Sequence, residues 1–364
     1  MNDNFVNPII RNFVRSQPDI TIDKYSGEGS FGELYFGNRI ILKDRVALKF
    51  YKIGLLGINH NEPQLLKTIN HENILEIYDA KILNNQFAYY LTPEISGGDL
   101  QNHIQNHIID TETAFSVIQG ILKGLNELHK APNNFVHRDL KTLNILIDKF
   151  SKKPYISDFG TLKQIPNNTN YVSASKYTLL YKPAEVILNG HYYIQSDIYQ
   201  VGIILYQLLG GFFPFNQLEW MNQKQNNKYA NLPNQIEQVQ YFTSIIDNLI
   251  LKGKILNLSS LPNYVDLKLK KILNKATHPV YTKRYSTCSE FLKDIFDYTK
   301  NSKNWWLDND IYFACNKTKT KYYKIEKLNK DYSLQTSRNL SNWRTKNLNT
   351  NKLIEIISHV SADK

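Results

Sequence analysis

Cysteine is almost missing from this chain: Cys288 and Cys315 are the two among 364 residues. Two thiols cannot build a disulfide framework, and neither belongs to a Cys-x-x-Cys pair, so a disulfide-stapled scaffold and a cysteine metal site are both excluded. Long uninterrupted apolar runs are missing as well. The most apolar stretch, residues 198–215, is broken by Gln200, Gly202, Gln207, Gly210, Gly211 and Pro214. It suits a helix buried in a soluble core better than a membrane span. The first fifteen residues carry Asp3 and no apolar centre, so they do not read as a signal peptide. The expectation is a cytoplasmic chain in a reducing compartment, with no membrane span.

What is present supports a folded protein. Hydrophobic residues make up 42% and aromatics 12%, enough to build a core and to exclude global disorder. A chain of 364 residues exceeds the size at which one core stops growing, so two or three core units are expected. The formal net charge of +11 could attract nucleic acid, anionic membrane or acidic partners, but it is read as spread over solvated faces.

Texture divides the chain into segments. Residues 1–21 form a short polar-apolar arm. From Ile22 to about Lys52 the pattern is strand-like, through Tyr35, Phe36, Ile40–Leu42 and Val46–Leu48. A helix is expected near 64–69, and strands at 74–78 and 87–92. After Gly97-Gly98 a helical stripe appears: Ala114, Val117, Ile118, Ile121, Leu122, Leu125 and Leu128. Short strands are expected near 145–147 and 155–156. Further helices are expected over 198–209, 239–251, 267–273 and 290–298. A β-rich unit thus precedes a helical one, an α+β arrangement. Residues 301–364 differ again, with Trp305, Trp306 and Trp343 among twelve Lys plus Arg and six Asp plus Glu.

Four motifs carry chemistry. Gly27-Glu28-Gly29-Ser30-Phe31-Gly32 lets backbone N–H groups approach phosphates without side-chain obstruction. A dinucleotide-binding turn would need a helix directly afterwards, whereas Glu33–Gly37 continues as a strand. Val46-Ala47-Leu48-Lys49 ends an apolar strand in a lysine, seventeen residues after Gly32. A snorkelling edge lysine is the bland alternative; a phosphate ligand is favoured. His137-Arg138-Asp139-Leu140-Lys141-Thr142-Leu143-Asn144 can set a carboxylate at a hydroxyl proton and an amide at a metal. Asp158-Phe159-Gly160 follows fourteen residues after Asn144 and offers a hard oxygen ligand suited to Mg2+. An Asp in a tight turn is its bland reading.

In this order the motifs resemble the eukaryotic-like serine/threonine protein kinase family over residues 22–298. Thr178–Glu185 is similar to the end of a kinase activation segment, and Ser196–Gly202 to the start of the central buried helix. The resemblance implies a bilobal kinase fold, with an N-lobe of about 22–95 and a C-lobe of about 96–298; residues 301–364 lie outside it and read as a small basic α+β module, with short strands near 311–314 and 322–325 and a final helix over 352–360. The resemblance also implies that Gly27, Gly29 and Gly32 cover the phosphates of ATP. Leu34, Ala47 and Thr92 line its pocket, Lys49 holds the α- and β-phosphates, and Glu62 orients Lys49. Asp139 and Lys141 act at the acceptor hydroxyl. Asn144 and Asp158 hold Mg2+. Glu185 pairs with Arg284. Lys141 and Thr178 resemble the serine/threonine class. Arg138 beside Asp139 resembles kinases switched by phosphorylation of the activation segment, with Thr169, Ser173 and Ser175 as candidate acceptors.

The chain departs from the family pattern at Pro63, which follows Glu62, at the order Pro183-Ala184, and at Tyr177, where glycine is usual. The expected function is transfer of the ATP γ-phosphoryl group to protein substrates. The alternatives are a pseudokinase scaffold or a small-molecule kinase. For residues 301–364, tryptophans serving as the core of a packed module are favoured over a nucleic-acid platform.

Overall fold

The computed structural model describes residues 7–29, 32–52, 69–84, 86–174 and 177–363. Asn7 caps the first helix, α1 (Pro8–Arg15), by accepting from the Ile9 N–H, and Pro8 occupies the first helical position. Where the sequence suggested only an arm, this helix buries Ile10 and Val14 and sets Phe13 5.0 Å from Tyr89 and 5.9 Å from Phe50.

The sheet beneath it contains β1 (Ile20–Gly29), β2 (Gly32–Arg39), β3 (Arg45–Lys52), β4 (Asp79–Ile82) and β5 (Phe87–Pro93). Its antiparallel order is β1-β2-β3-β5-β4. Strand alternation divides β3 between two tasks. Val46, Leu48 and Phe50 enter the core shared with α1. Ala47 and Lys49 take the other face, opposite Thr92 and Tyr90 of β5. Two strand expectations are corrected. Ile40–Leu42 form an exposed turn between β2 and β3. The strand placed at 74–78 lies at Asp79–Ile82, while Ile74 makes a single bridge to Ile156.

The larger lobe follows with α2 (Leu100–Asn106), α3 (Thr111–His129), β6 (Phe135–Val136), β7 (Ile145–Ile147), β8 (Pro154–Ile156), β9 (Lys163–Gln164) and β10 (Val172–Ser173). It continues with α4 (Ala184–Asn189), β11 (His191–Tyr192), α5 (Ile194–Leu208), α6 (Gln223–Ala230), α7 (Gln235–Leu251), α8 (Leu267–Ala276) and α9 (Cys288–Thr299). From Ser196 to Leu208 every residue of α5 is buried, which accounts for its apolarity on all sides. Gly202 allows the approach of α8: an added Cβ would lie 2.6 Å from the Thr277 methyl and 2.9 Å from the Ala276 Cβ. Among the described residues no helix is long and apolar enough to cross a membrane.

The C-terminal segment is a meander of β12 (Asn304–Asp308), β13 (Ile311–Cys315), β14 (Tyr322–Leu328), β15 (Asp331–Ser337) and β16 (Arg344–Lys346), closed by α10 (Leu353–Ala362). Trp305, Ala314, Tyr323, Ile325 and Leu334 join α10 and the large lobe in one continuous core. Trp305 stacks on Tyr264 at 5.7 Å, and its backbone N–H donates to Thr111 Oγ1 at 2.9 Å. Trp306 stacks instead on Phe313 at 5.4 Å, and Trp343 lies 6.1 Å from the same ring. The sequence reading missed β12, where Trp305-Trp306-Leu307 run together without alternation, and β15 and β16, whose residues are largely polar.

Replacing Trp305 by alanine empties a site that is 4% exposed and shared by two units. Trp305→Ala is expected to destabilise the C-terminal half by about 3–5 kcal/mol, read from the denaturation midpoint of the full chain. An unchanged midpoint would count against this packing.

Candidate active site

Residues 137–144 connect β6 to β7, and the first turn of α5 holds them from below. The Asp197 carboxylate there is fully buried. It accepts from the His137 N–H at 2.9 Å, the Arg138 N–H at 3.0 Å, His129 Nε2 at 2.8 Å and the Tyr192 hydroxyl at 2.8 Å. Burial alone would raise its pKa. The hydrogen bond and charge of His129, with His137 and the Arg138 N–H, outweigh that and hold it below the ordinary carboxylate value. Burial lowers the pKa of His137, favouring the neutral ring. Arg138 adopts φ 74°, a left-handed conformation rare outside glycine. Both of its flanking peptides are clamped, which sustains that geometry.

Gln200, one turn further along α5, completes the clamp. Its Oε1 accepts from the Leu140 N–H at 2.8 Å and the Tyr192 hydroxyl at 2.9 Å. Its Nε2 donates to the carbonyls of Arg138 at 3.4 Å and Tyr181 at 3.3 Å. One buried amide therefore fixes the backbone on both sides of Asp139 and ties it to the segment that supplies Thr178.

Asp139 is the hub of the exposed side. Its Oδ1 accepts from the Thr178 hydroxyl at 2.6 Å, and its Oδ2 from Lys141 Nζ at 2.7 Å and Asn144 Nδ2 at 3.1 Å. Lys141 Nζ also reaches Thr178 Oγ1 at 3.1 Å. The Asn144 carbonyl accepts from both the backbone N–H and the hydroxyl of Ser157, so Asp158 follows immediately beside Asn144.

Lys49 Nζ donates to Asp158 Oδ1 at 2.8 Å across 109 residues of sequence. Asp158 has φ 59°, which turns its carboxylate out of the strand direction. Burial pushes its pKa up, but the Lys49 charge and hydrogen bond, with His137 and Lys141, pull it below the ordinary value. It is therefore anionic at neutral pH. Gly27, Gly29 and Gly32 lie at the tip of the β1–β2 hairpin, where Gly29 pairs with Gly32. The strand runs on after them, as the residues Glu33–Gly37 suggested. Leu34 pairs with Lys49 across β2 and β3, and Ala47 with Thr92 across β3 and β5.

The closing part of the segment is anchored by a buried pair. Arg284 Nη1 and Nη2 donate to the two Glu185 carboxylate oxygens at 2.8 and 2.7 Å, with the Tyr199 ring 4.8 Å from the guanidinium. Ser173 ends β10, its carbonyl 2.8 Å from Arg138 Nη1. The Thr169 hydroxyl donates to the Tyr171 carbonyl at 3.0 Å. Glu62 and Ser175 lie outside the described residues. Gln200 and Lys182 were missed by the sequence reading. Lys182 is 3% exposed, pairs with Asp247 at 2.5 Å and sits 4.8 Å from the Tyr177 ring. For Gln200 a signal existed: an amide inside an all-buried helix must find partners.

Among the described residues no cluster of three or more His, Cys, Asp or Glu forms a ready metal cage. Asn144 and Asp158 carry side-chain oxygens on adjoining stretches, joined through the bonds of Ser157 to the Asn144 carbonyl.

Comparison with known proteins agrees with this arrangement. The family model for the protein kinase domain matches residues 20–298. Calcium-dependent protein kinase 4 of Plasmodium berghei is 30% identical over 238 residues, covering 60% of this chain and 44% of that protein. Serine/threonine-protein kinase atg1 of Dictyostelium discoideum is 31% identical over 237 residues, covering 60% of this chain and 34% of its own length. Mitogen-activated protein kinase mpkC of Aspergillus clavatus is 32% identical over 260 residues, 69% of this chain and 64% of that protein. The chain thus spans less than half the length of the first two.

Gln200→Leu removes the partner of the Leu140 N–H in a dry site. The expected loss is about 1–3 kcal/mol of stability in thermal or urea unfolding. A neutral result would show that the loop does not depend on this amide.

Proposed function

Because the chain belongs to the protein kinase domain family, we propose that it is an active serine/threonine kinase, transferring the γ-phosphoryl group of ATP to hydroxyls of protein substrates. The observation that carries this reading is the Asp139 carboxylate, which already binds a threonine hydroxyl at 2.6 Å beside the Lys141 ammonium. An acceptor serine or threonine presented at the same carboxylate would give its proton to Asp139. The acceptor oxygen forms a bond to the γ-phosphorus, the bond from that phosphorus to ADP breaks, and Lys141 neutralises charge between donor and acceptor. Positioning and charge neutralisation supply the acceleration, with no covalent enzyme intermediate.

Lys49 and Asp158 fit a nucleotide with its metal. Each is the present charge partner of the other. Phosphates would take over Lys49, and a cation would take over Asp158 with Asn144. Hard oxygen ligands of this kind suit Mg2+, which when bound to ATP shields the phosphate charge. Gly27, Gly29 and Gly32 offer backbone N–H groups over the phosphates, with Leu34, Ala47 and Thr92 around the base. The serine/threonine preference rests on the Asp139–Lys141–Thr178 triangle and on the names of the relatives.

Regulation by phosphorylation of the activation segment belongs to the same proposal. Arg138 Nη1 already docks on the Ser173 carbonyl. A phosphate on Ser173, or on Ser175 two residues later, would bring charge-assisted hydrogen bonds to the same guanidinium.

Incubation with radiolabelled ATP, Mg2+ and a generic protein substrate tests the reading. The wild-type chain should yield phosphoserine or phosphothreonine on acid hydrolysis. Asp139→Asn should lose about 10²–10⁴ in rate. Asp158→Ala should leave no measurable transfer. Nucleotide retention without transfer by the wild type would instead establish a scaffold.

A further inference from the structure

One strongly charged feature lies outside the proposed reaction. At one end of the C-terminal sheet an open groove of about 1000 Å3 is lined by Lys321, Arg338, Arg344, Thr336, Ser337 and Asn342 among others, with no acidic residue in its wall. The strand register makes this grouping necessary. Tyr322 pairs with Ser337, so Lys321 and Arg338 flank the ends of β14 and β15 side by side. Thr336 pairs with Arg344 across β15 and β16. Residues two apart share a face of a sheet, which puts Lys321, Thr336, Arg338 and Arg344 together.

The state of these cations matters. Lys321 is paired with Asp363 at 2.7 Å, at the end of α10. The guanidinium groups of Arg338 and Arg344 make no ion pair or hydrogen bond with the other described residues. Two planar forks with five donors each, beside hydroxyl and amide groups, match the oxygens of a phosphate.

The face also discriminates among phosphate-bearing ligands. Of the rings on this face, Trp305 and Tyr323 are buried at 4% and 0% exposure, and the half-buried Tyr312 and Tyr332 lie toward the other end of the strands, paired with Ile325 and Lys327. The half-buried rings Trp306, Phe313 and Trp343 alternate onto the opposite face. Bases therefore find no ring to stack on beside the cations, which removes the main non-electrostatic term of single-strand binding. Lys346 shares this face with Arg344, but it and Lys321 both lie against the Asp363 carboxylate, which leaves Arg338 and Arg344 as the uncompensated cations, short of the four to eight that mark an anionic membrane site.

We propose that this groove binds a phosphoserine or phosphothreonine of a peptide. Arg338 and Arg344 grip the phosphate, and the amide and hydroxyl groups contact the peptide backbone. The choice of occupant rests on the proposed kinase reaction, whose product is this phosphomonoester. The C-terminal unit would then hold already phosphorylated substrate beside the catalytic lobe and favour further modification of the same molecule.

The test is direct binding to the full chain carrying Asp158→Ala, which prevents turnover. Fluorescence anisotropy compares a degenerate phosphoserine/phosphothreonine peptide library with its unphosphorylated counterpart. Inorganic phosphate, an oligouridine and phosphatidylserine vesicles complete the set. The proposal expects binding of the phosphopeptides, weakened about tenfold or more by Arg338→Ala with Arg344→Ala, at unchanged melting temperature. In the otherwise wild-type background the same double substitution should leave phosphorylation of a generic substrate unchanged. Equal binding by the double variant, or no phosphopeptide binding, overturns the proposal. So does tighter binding of oligouridine or vesicles, or binding of inorganic phosphate alone. Because binding is read without turnover, a chain that grips phosphopeptide yet transfers nothing would overturn the kinase reading and spare the groove.

Discussion

Four donors converge on the buried Asp197 carboxylate, and the geometry of the whole site follows from where they originate. A carboxylate removed from water is tolerated only where hydrogen bonds replace its hydration. Here they come from α3, the 137–144 loop and β11, so satisfying one charge locks three parts of the chain to α5. Asp139 inherits its position from that lock and from the second clamp at Gln200. His129 extends the row to α9, its other ring nitrogen 3.5 Å from Cys288 Sγ. Cysteine, histidine and aspartate in line look like a nucleophilic triad. Cys288 is 1% exposed and burial raises its pKa well above the ordinary thiol value, so the row is a packed element of the core.

Around this fixed centre the remaining groups reach the site by longer routes. Lys49 comes from the small lobe because β3 alternates, sending Val46, Leu48 and Phe50 under α1 and Lys49 to the other face. The stretch from Asp158 to Glu185 is held at both ends, by the Lys49–Asp158 pair at its start and by the buried Glu185–Arg284 pair at its end. Breaking a pair of this kind leaves an uncompensated charge in a dry interior, a penalty far above the worth of a surface ion pair. The C-terminal unit shares the core of the large lobe through Trp305 and Tyr264, so its basic groove has a firm base.

Much of the site was legible in order and spacing. Glycines followed by strand, a lysine closing an apolar strand, and Asp139 five residues before Asn144 each require particular residue types for backbone or chemical reasons. The large-lobe helices were legible because burial on one face or on all faces writes itself into apolar periodicity. Ile40–Leu42 misled, since three apolar residues in a row resemble a strand while Lys43 takes the positive φ of a turn. The strand at Asp79–Ile82 was hidden because its residues are exposed. Helix α1 was hidden by its shortness, since eight residues give barely two turns of periodicity.

By itself the sequence determined which chemical groups are available, the lobe order, and the local conformations that glycine, proline and apolar alternation impose. Tertiary structure alone decided which distant groups meet: Lys49 with Asp158, Glu185 with Arg284, Gln200 with both sides of Asp139, and Lys321 with Arg338 and Arg344 on one face. The reason is physical. Local preference acts over a few residues through sterics and backbone hydrogen bonding. Partners separated by tens of residues are chosen only when the core closes and each buried polar group must find a mate.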